Sequence, residues 1–350
     1  MMKNLITCSI LLMAMLLPES ALAYDFMVNG IAYNRIGNEA TVTRGGNYSG
    51  NVNIPETVTY NDTTYTVTTI DTEAFRRNTS LKGISIPTSI TTIGQYAFNL
   101  CINVTQLVWN ARNCPSTGCL PVENITQLTI GEEVETLPDY FMSGISSSSH
   151  ITGSKIKSLH IPASVTSIGF RSFAGCKELE TITVDKQNKK YDSRENCSAI
   201  IEKAGLTIGR LVVGCKNSTI PGTIGFIGDY AFYGSGLVSI DIPNTVTAIG
   251  KSAFYGCSAL VSITLPEGIT AINEHTFQDC NSLLHLSIPS GVTSISIYAF
   301  NGCTSLTSID IPGSVTSIGM YAFANCKSLT SVMLPNTIST IDERTFCSCI

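Results

Sequence analysis

The 350-residue chain is poor in charge. Its 21 Lys plus Arg and 26 Asp plus Glu make up 13% of it, about half the 25% usual for a soluble domain. So few cations exclude a strongly basic nucleic-acid binder, and so few acids exclude a disordered acidic tail. Tryptophan is limited to Trp109, and the four histidines, His150, His160, His275 and His285, are scattered. No GxGxxG follows a strand-like run, and no P-loop, HExxH or GxSxG occurs. There is no CxxC pair and no histidine within ligand spacing of two cysteines, so neither a metal nor another cofactor is expected. Asp192 and Glu195 come nearest to paired carboxylates, but they sit in a glycine-flanked insertion that implies no pocket. Beyond residue 23 no apolar run approaches the roughly 20 residues of a membrane span.

The sequence is rich instead in Ser and Thr, which together outnumber all four charged types. Its first 23 residues have the layout of a secretory signal peptide: Lys3, an apolar run from Leu5 to Leu17, and Ala21-Leu22-Ala23 as the cleavage site. Cys8 lies inside the apolar run and lacks a lipoprotein cleavage box, so a mature chain starting near Tyr24 is expected, exported without a lipid anchor.

Internal repetition then decides the architecture. Pro243, Pro266, Pro289, Pro312 and Pro335 recur every 23 residues, and Phe254, Phe277, Phe300, Phe323 and Phe346 keep the same step. The frame returns upstream at Pro221 with Phe232, at Pro162 with Phe173 and at Pro87 with Phe98, with degenerate copies between, about a dozen units in all. A unit this small cannot bury its own apolar residues, so the units must stack and share one core. Within each, Leu-x-x-Ile-x-Ile alternates like a strand, Pro ends it, Val-Thr-x-Ile-Gly makes a second short extended piece, and an Ala-Phe turn closes the coil. The expected fold is a mostly β solenoid with parallel strands and short or helical turns.

The consensus Leu-x-x-Ile-x-Ile-Pro-x-x-Val-Thr-x-Ile-Gly-x-x-Ala-Phe-x-x-Cys resembles the BspA-type bacterial leucine-rich repeats over roughly residues 54 to 350. Two irregular stretches, Trp109 to Cys114 and Tyr191 to Ile201, resemble elements of Bacteroidales members of that family. The resemblance implies a secreted or surface-exposed binding protein, some relatives of which adhere to host matrix proteins, and the lack of a clustered carboxylate pair in the regular units argues against an enzyme. The partner implied is an extracellular protein, host matrix included, or a glycan. The alternative is a non-catalytic glycan-binding or scaffolding component of the cell surface.

Residues 24–68 are expected to form an N-terminal β-hairpin cap, with Asn29-Gly30 as a hairpin turn and Asn61-Asp62 between two Thr-rich runs. The solenoid then runs over 69–350, with insertions near 110–124, 146–155 and 185–217. The chain ends at Ile350 inside a repeat with no anchoring module, so a truncated chain or a last coil covered by another molecule is expected. The 185–217 insertion reads as a projecting hairpin. It carries Lys186, Lys189, Lys190 and Arg194, either a solvated cluster or a contact for an acidic partner.

Seven cysteines, Cys101, Cys176, Cys257, Cys280, Cys303, Cys326 and Cys349, fall three residues after the repeat Phe and predict a buried thiol ladder, with Asn78 and Ser235 in the same slot of other units. Cys114 with Cys119 and Cys197 with Cys215 are candidate local disulfides. On the first strand, alternation turns Ser158, His160, Ser239, Asp241, Ser262 and Thr264 outward, and likewise His285, Ser287, Ser308 and Asp310. These ten are the candidate binding residues: a flat, hydroxyl-rich face with few of the Trp, Tyr and Arg anchors that dominate hot spots. Trp109 faces inward by the same alternation, with a ligand platform as the alternative. Tyr191, Tyr230, Tyr233, Tyr255, Tyr298 and Tyr321 flank the buried Ala-Phe pair as a candidate aromatic edge.

Overall fold

A computed structural model describes residues 24–349 apart from 47, 118, 146–150 and 204–207. The signal peptide expected over residues 1–23 therefore lies outside the described residues, as does the polar loop of Ser146 to Ser149. The chain is a β-solenoid of stacked coils, with parallel strands on two faces and no α-helix among the described residues. Two three-residue 3-10 turns, Val122–Asn124 and Arg194–Asn196, are its only helical elements there.

The N-terminal end is antiparallel. Phe26–Val28, Ile31–Ile36 and Glu39–Val42 form a meander, and Thr57–Tyr60 pairs with Thr63–Ile70. Two of the three hairpin turns are alike. Asn29 and Gly30 have φ of 50° and 79°, and Asn61 and Asp62 have 47° and 59°. Both central residues of each turn are left-handed, the geometry whose twist matches the flanking strands. The cap does not end in a clean boundary. Glu39–Val42 and Thr92–Ile93 both pair in parallel with Thr63–Ile70, and Gly50–Asn53 pairs in parallel with Leu81–Ile86, so cap and coils share their sheets.

Beyond it the regular coils contribute short strands to two faces. The first face runs from Leu81–Ile86 through Gln106–Trp109 to Gln127–Ile130, then continues as Ser158–Ile161 with Thr181–Val184, Ser239–Asp241 with Ser262–Thr264, and His285–Ser287 with Ser308–Asp310. The second carries short pairs such as Ala271–Ile272, Ser294–Ile295 and Ser317–Ile318. A third wall consists of the Ala-Phe turns, joined coil to coil by bonds such as Phe254 N to Thr276 O at 3.0 Å and Phe277 N to Ala299 O at 2.8 Å. The corner glycine before this turn has a steric cause: a Cβ on Gly319 would stand 2.5 Å from Ile297 N of the preceding coil.

Side chains stack as the backbone does. Phe232, Phe254, Phe277, Phe300, Phe323 and Phe346 form a column with centroids 5.1–5.5 Å apart and interplanar angles of 13° or less. Hydroxyls tie the coils together: Thr293 Oγ1 donates to Thr270 O, Thr307 Oγ1 to Leu284 O and Thr316 Oγ1 to Thr293 O, each at 3.2 Å and across 23 residues. The abundance of Ser and Thr is thus partly structural, each such hydroxyl satisfying a carbonyl of the coil before.

The insertion at 185–217 differs from the expected projecting hairpin. Ala199–Glu202 pairs antiparallel with Gly209–Gly214, which pairs in parallel with Ile224–Ile227, so the hairpin is built into the second face. Ala199, Ile200, Ile201 and Leu211 are fully buried. Burial on both sides requires apolar residues at every position, which is why these runs do not alternate. The strand also partitions the core: Ile200 packs with the N-terminal coils, while Ala199 and Ile201 pack with the C-terminal coils. The second expected insertion contains an antiparallel pair, Ser143–Ile145 with Ile151–Gly153.

Phe277 lies between Phe254 at 5.5 Å and Phe300 at 5.4 Å and is fully buried. Phe277→Ala is therefore expected to destabilise the chain by about 3–5 kcal/mol, read from guanidinium titration by far-UV circular dichroism. An unchanged midpoint would show the column to be dispensable.

Candidate functional site

The ten outward residues of the first face stand where alternation places them. Between each pair of them a buried apolar residue points inward, Leu159, Ile240, Ile263, Leu286 and Ile309 in turn. Ser158, His160, Ser239, Asp241, Ser262, Thr264, His285, Ser287 and Asp310 are exposed, and Ser308 is half-buried. Parallel register sets Ser239 beside Ser262, Asp241 beside Thr264, His285 beside Ser308 and Ser287 beside Asp310.

Neighbours in these columns bond to one another. Thr264 Oγ1 donates to Asp241 Oδ1 at 3.0 Å, His160 Nδ1 lies 3.0 Å from Thr183 Oγ1, and His285 Nδ1 lies 3.0 Å from Ser308 Oγ. Further up the face, Asn51 Nδ2 donates to Gln106 Oε1 at 3.2 Å and Gln106 Nε2 to Gln127 Oε1 at 2.5 Å. The face is a set of pre-ordered polar ladders, and its two histidines pair with hydroxyls in separate coils instead of forming a dyad. His150 lies outside the described residues.

Six tyrosines were expected to form an exposed edge, and the structure divides them. Tyr191 and Tyr233 are buried, whereas Tyr230, Tyr255, Tyr298 and Tyr321 are half-buried. Tyr233 stacks on Tyr255 at 4.6 Å, and His275 on Tyr298 at 5.1 Å, with Tyr298 on Tyr321 at 4.8 Å. His275 belongs to this edge by slot, since it precedes Thr276-Phe277 as Tyr298 precedes Ala299-Phe300. The slot is left-handed in coil after coil, with φ of 61° at Tyr230, 57° at His275 and 58° at Tyr298. Such a conformation costs about 1–3 kcal/mol, and it is offset here by a bond to the next coil, as from Tyr230 N to Lys251 O at 3.1 Å. Trp109 is fully buried and meets Phe141 edge-on at 5.2 Å, which leaves it no role as a ligand platform.

The cysteine column is a hydrogen-bonded ladder. The thiols of Cys101, Cys257, Cys280, Cys303, Cys326 and Cys349 each donate to the carbonyl of a Phe in the preceding coil at 3.0–3.2 Å. Asn78 Nδ2 makes the equivalent bond to Tyr48 O at 2.8 Å, and Cys176 reaches Met142 O at 3.6 Å. The two expected local disulfides are absent: Cys114, Cys119, Cys197 and Cys215 are all free thiols. Backbone carbonyls satisfy three of them locally, Cys114 through Ser116 O at 3.4 Å, Cys197 through Ala199 O at 3.8 Å and Cys215 through Ser198 O at 3.2 Å, while Cys119 is exposed. Close spacing in the sequence did not bring these sulfurs together.

No group of three His, Cys, Asp or Glu side chains that could hold a metal occurs among the described residues. Asp192 is engaged by Arg194, with Nε donating to Oδ1 at 2.9 Å and Nη2 to Oδ2 at 2.7 Å, so it does not pair with Glu195. No helix among the described residues is long and apolar enough to cross a membrane.

Burial raises the thiols of Cys101, Cys176 and Cys257 to about 11 and that of Cys326 to about 12, from an ordinary 9.0. The folded state thus holds these protons more tightly than the unfolded chain. The stabilisation is complete below about pH 9 and is lost as pH rises toward 11. The melting temperature is expected to fall over that window, and Cys257→Ser, which keeps a donor in the slot as Ser235 does, to flatten the fall. At neutral pH an alkylating reagent is expected to modify the exposed Cys119 and Cys347 and to spare the buried thiols of the column from Cys101 to Cys326, checked by peptide mass mapping.

Comparison with known proteins agrees with this geometry. The family model described as BspA type leucine-rich repeat region matches residues 54–155, 145–200 and 217–350, in six copies. A leucine rich cell surface protein from Faecalibacterium prausnitzii is 25% identical, with a TM-score of 0.57, over 94% of this chain and 98% of that one. The pneumococcal vaccine antigen PcpA is 18% identical with a TM-score of 0.61, over 89% and 92% of the two chains. A leucine-rich repeat protein from Eubacterium ventriosum is 20% identical with a TM-score of 0.55, over 89% and 90%. These last two show the fold alone. No curated protein matches the chain. Repeat consensus, coil geometry and family match together make this chain a member of the BspA-type leucine-rich repeat family.

Proposed function

We propose that the chain is a secreted or cell-surface binding protein, non-catalytic, that engages an extracellular protein partner through its first face, with host matrix proteins as the first candidates. The observation that carries this reading is the in-register array of exposed polar side chains from Ser158 to Asp310, already held in place by bonds between coils. A surface ordered before contact loses little side-chain entropy on binding. The likeness to a cell surface protein of F. prausnitzii supports the location. A second reading, a glycan-binding scaffold, is favoured by the half-buried stack of His275, Tyr298 and Tyr321, since aromatic faces suit sugar rings.

Incubating the purified chain with immobilised matrix proteins and with a glycan array separates the two. A triple substitution, Ser239→Arg with Ser262→Arg and Ser308→Arg, puts two like charges one coil apart on the face and a third two coils further on. It is expected to weaken protein binding by about tenfold or more while leaving the circular dichroism spectrum intact. Binding to glycans alone would replace the first reading by the second, and hydrolysis of an arrayed glycan would overturn both.

A further inference from the structure

The stacking of the third wall is interrupted between the coils of Phe173 and Phe232. The two coils meet at one corner, where Gly175 N donates to Tyr233 O at 2.8 Å. Before that corner they part: no bond runs from Arg171 N to Asp229 O or from Phe173 N to Ala231 O, although other coils join at these positions. Gly214 N, from the inserted hairpin, donates to Ala231 O instead, at 2.8 Å. The coils thus splay around the hairpin and leave a cleft of 590 Å³, within the range of small-molecule sites.

The cleft differs in composition from the rest of the surface. Arg171, Lys190, Arg210 and Lys251 line it against two carboxylates, Glu202 and Asp229, on a chain of net charge −5. Glu202 is shared between Lys190 at 3.5 Å and Arg210 at 4.0 Å, and Asp229 Oδ1 accepts from Lys251 N at 2.9 Å. Among the described residues, neither the Arg171 guanidinium nor the Lys251 ammonium has an ion-pair partner.

Arg171 occupies the left-handed slot that holds Tyr in neighbouring coils, with φ of 52°. Its guanidinium lies 4.2 Å from the Tyr230 ring centroid, 4.9 Å from that of Phe170 and 5.0 Å from that of Tyr233, and its Nε is buried with no hydrogen-bond partner. An aromatic seat of this kind fixes the guanidinium plane without using its N–H donors, which leaves a planar fork for a planar anion.

We infer that this cleft binds an acidic sugar, a hexuronate or sialic-acid type residue of a glycan. Its carboxylate takes the Arg171 fork, with Lys251, one coil beyond that of Phe232, adding charge, and its C–H face lies against Phe170, which is 44% exposed. Glu202 and Asp229 accept from ring hydroxyls. The same two carboxylates select against a phosphate or a polyanion, which they repel, so one negative charge on a polyhydroxylated ring fits the lining best. The inference does not rest on the strand-face reading, and its residues are separate from that face.

The test is isothermal titration calorimetry of the purified chain with glucuronate and with N-acetylneuraminate, against glucose, inorganic phosphate and a glutamate-rich peptide. Saturable binding is expected for the acidic sugars, weakened by salt and by about tenfold or more in Arg171→Met, the equivalent of one charge-assisted hydrogen bond. If Arg171→Met lowers the melting temperature, Lys251→Gln carries the decision by the same loss. The triple Arg variant of the strand face is expected to bind the acidic sugars unchanged, so failure of one reading is distinguishable from failure of the other. Equal binding of glucose, unchanged affinity in the deciding variant, binding confined to phosphate or the peptide, or no saturable heat would each overturn the inference.

Discussion

In-register stacking is the constraint on which the rest of this molecule depends. A parallel ladder sets each coil about 4.8 Å from the next, so a side chain in any slot meets the same slot of its neighbours above and below. Only groups that tolerate their own company suit such columns. Phenyl rings stack, hydroxyls bond to the carbonyl of the coil before, and thiols do the same in a drier place, whereas columns of one charge repel. The scarcity of charge follows from this geometry. Where a column changes character, as where Arg171 replaces Tyr, the neighbouring coils also change.

Much of the architecture was legible because stacking writes itself into the sequence as a period. The spacing of Pro243 to Pro335 located the coils, alternation about Ile240 and Ile263 located the exposed face, and the column from Cys257 to Cys349 was readable as a thiol ladder because Asn78 and Ser235 share its slot. The 185–217 hairpin was misplaced for a physical reason. Ala199-Ile200-Ile201 and Leu211-Val212-Val213 show that strands exist, but whether a strand lies on a wall or inside it depends on its partner, and Ile224–Ile227 is remote from any local signal. The missing disulfides follow the same logic, since proximity in the chain does not orient two Cβ atoms. Phe170 and Arg171 carry no signal of their own in the repeat, because the pattern marks the slot and not the consequence of filling it differently. Comparing Arg171 with Tyr230, Tyr298 and Tyr321 was the available clue.

Regularity and singularity divide the surface between them. The repeated faces offer many nearly equivalent positions, which suits extended contact with a large partner and gives little discrimination at any single point. Distinct chemistry gathers where the period fails, because only there can unlike residues from several elements converge.

The inserted hairpin has a further consequence. Ile200 and Ile201 are adjacent in the chain, yet they belong to different apolar interiors. In an array whose coils couple only to their neighbours, cohesion passes from one coil to the next. A strand that shares its two sides between separate interiors therefore acts as a firebreak: disorder starting among the C-terminal coils can stop there, leaving the N-terminal coils and their cap folded.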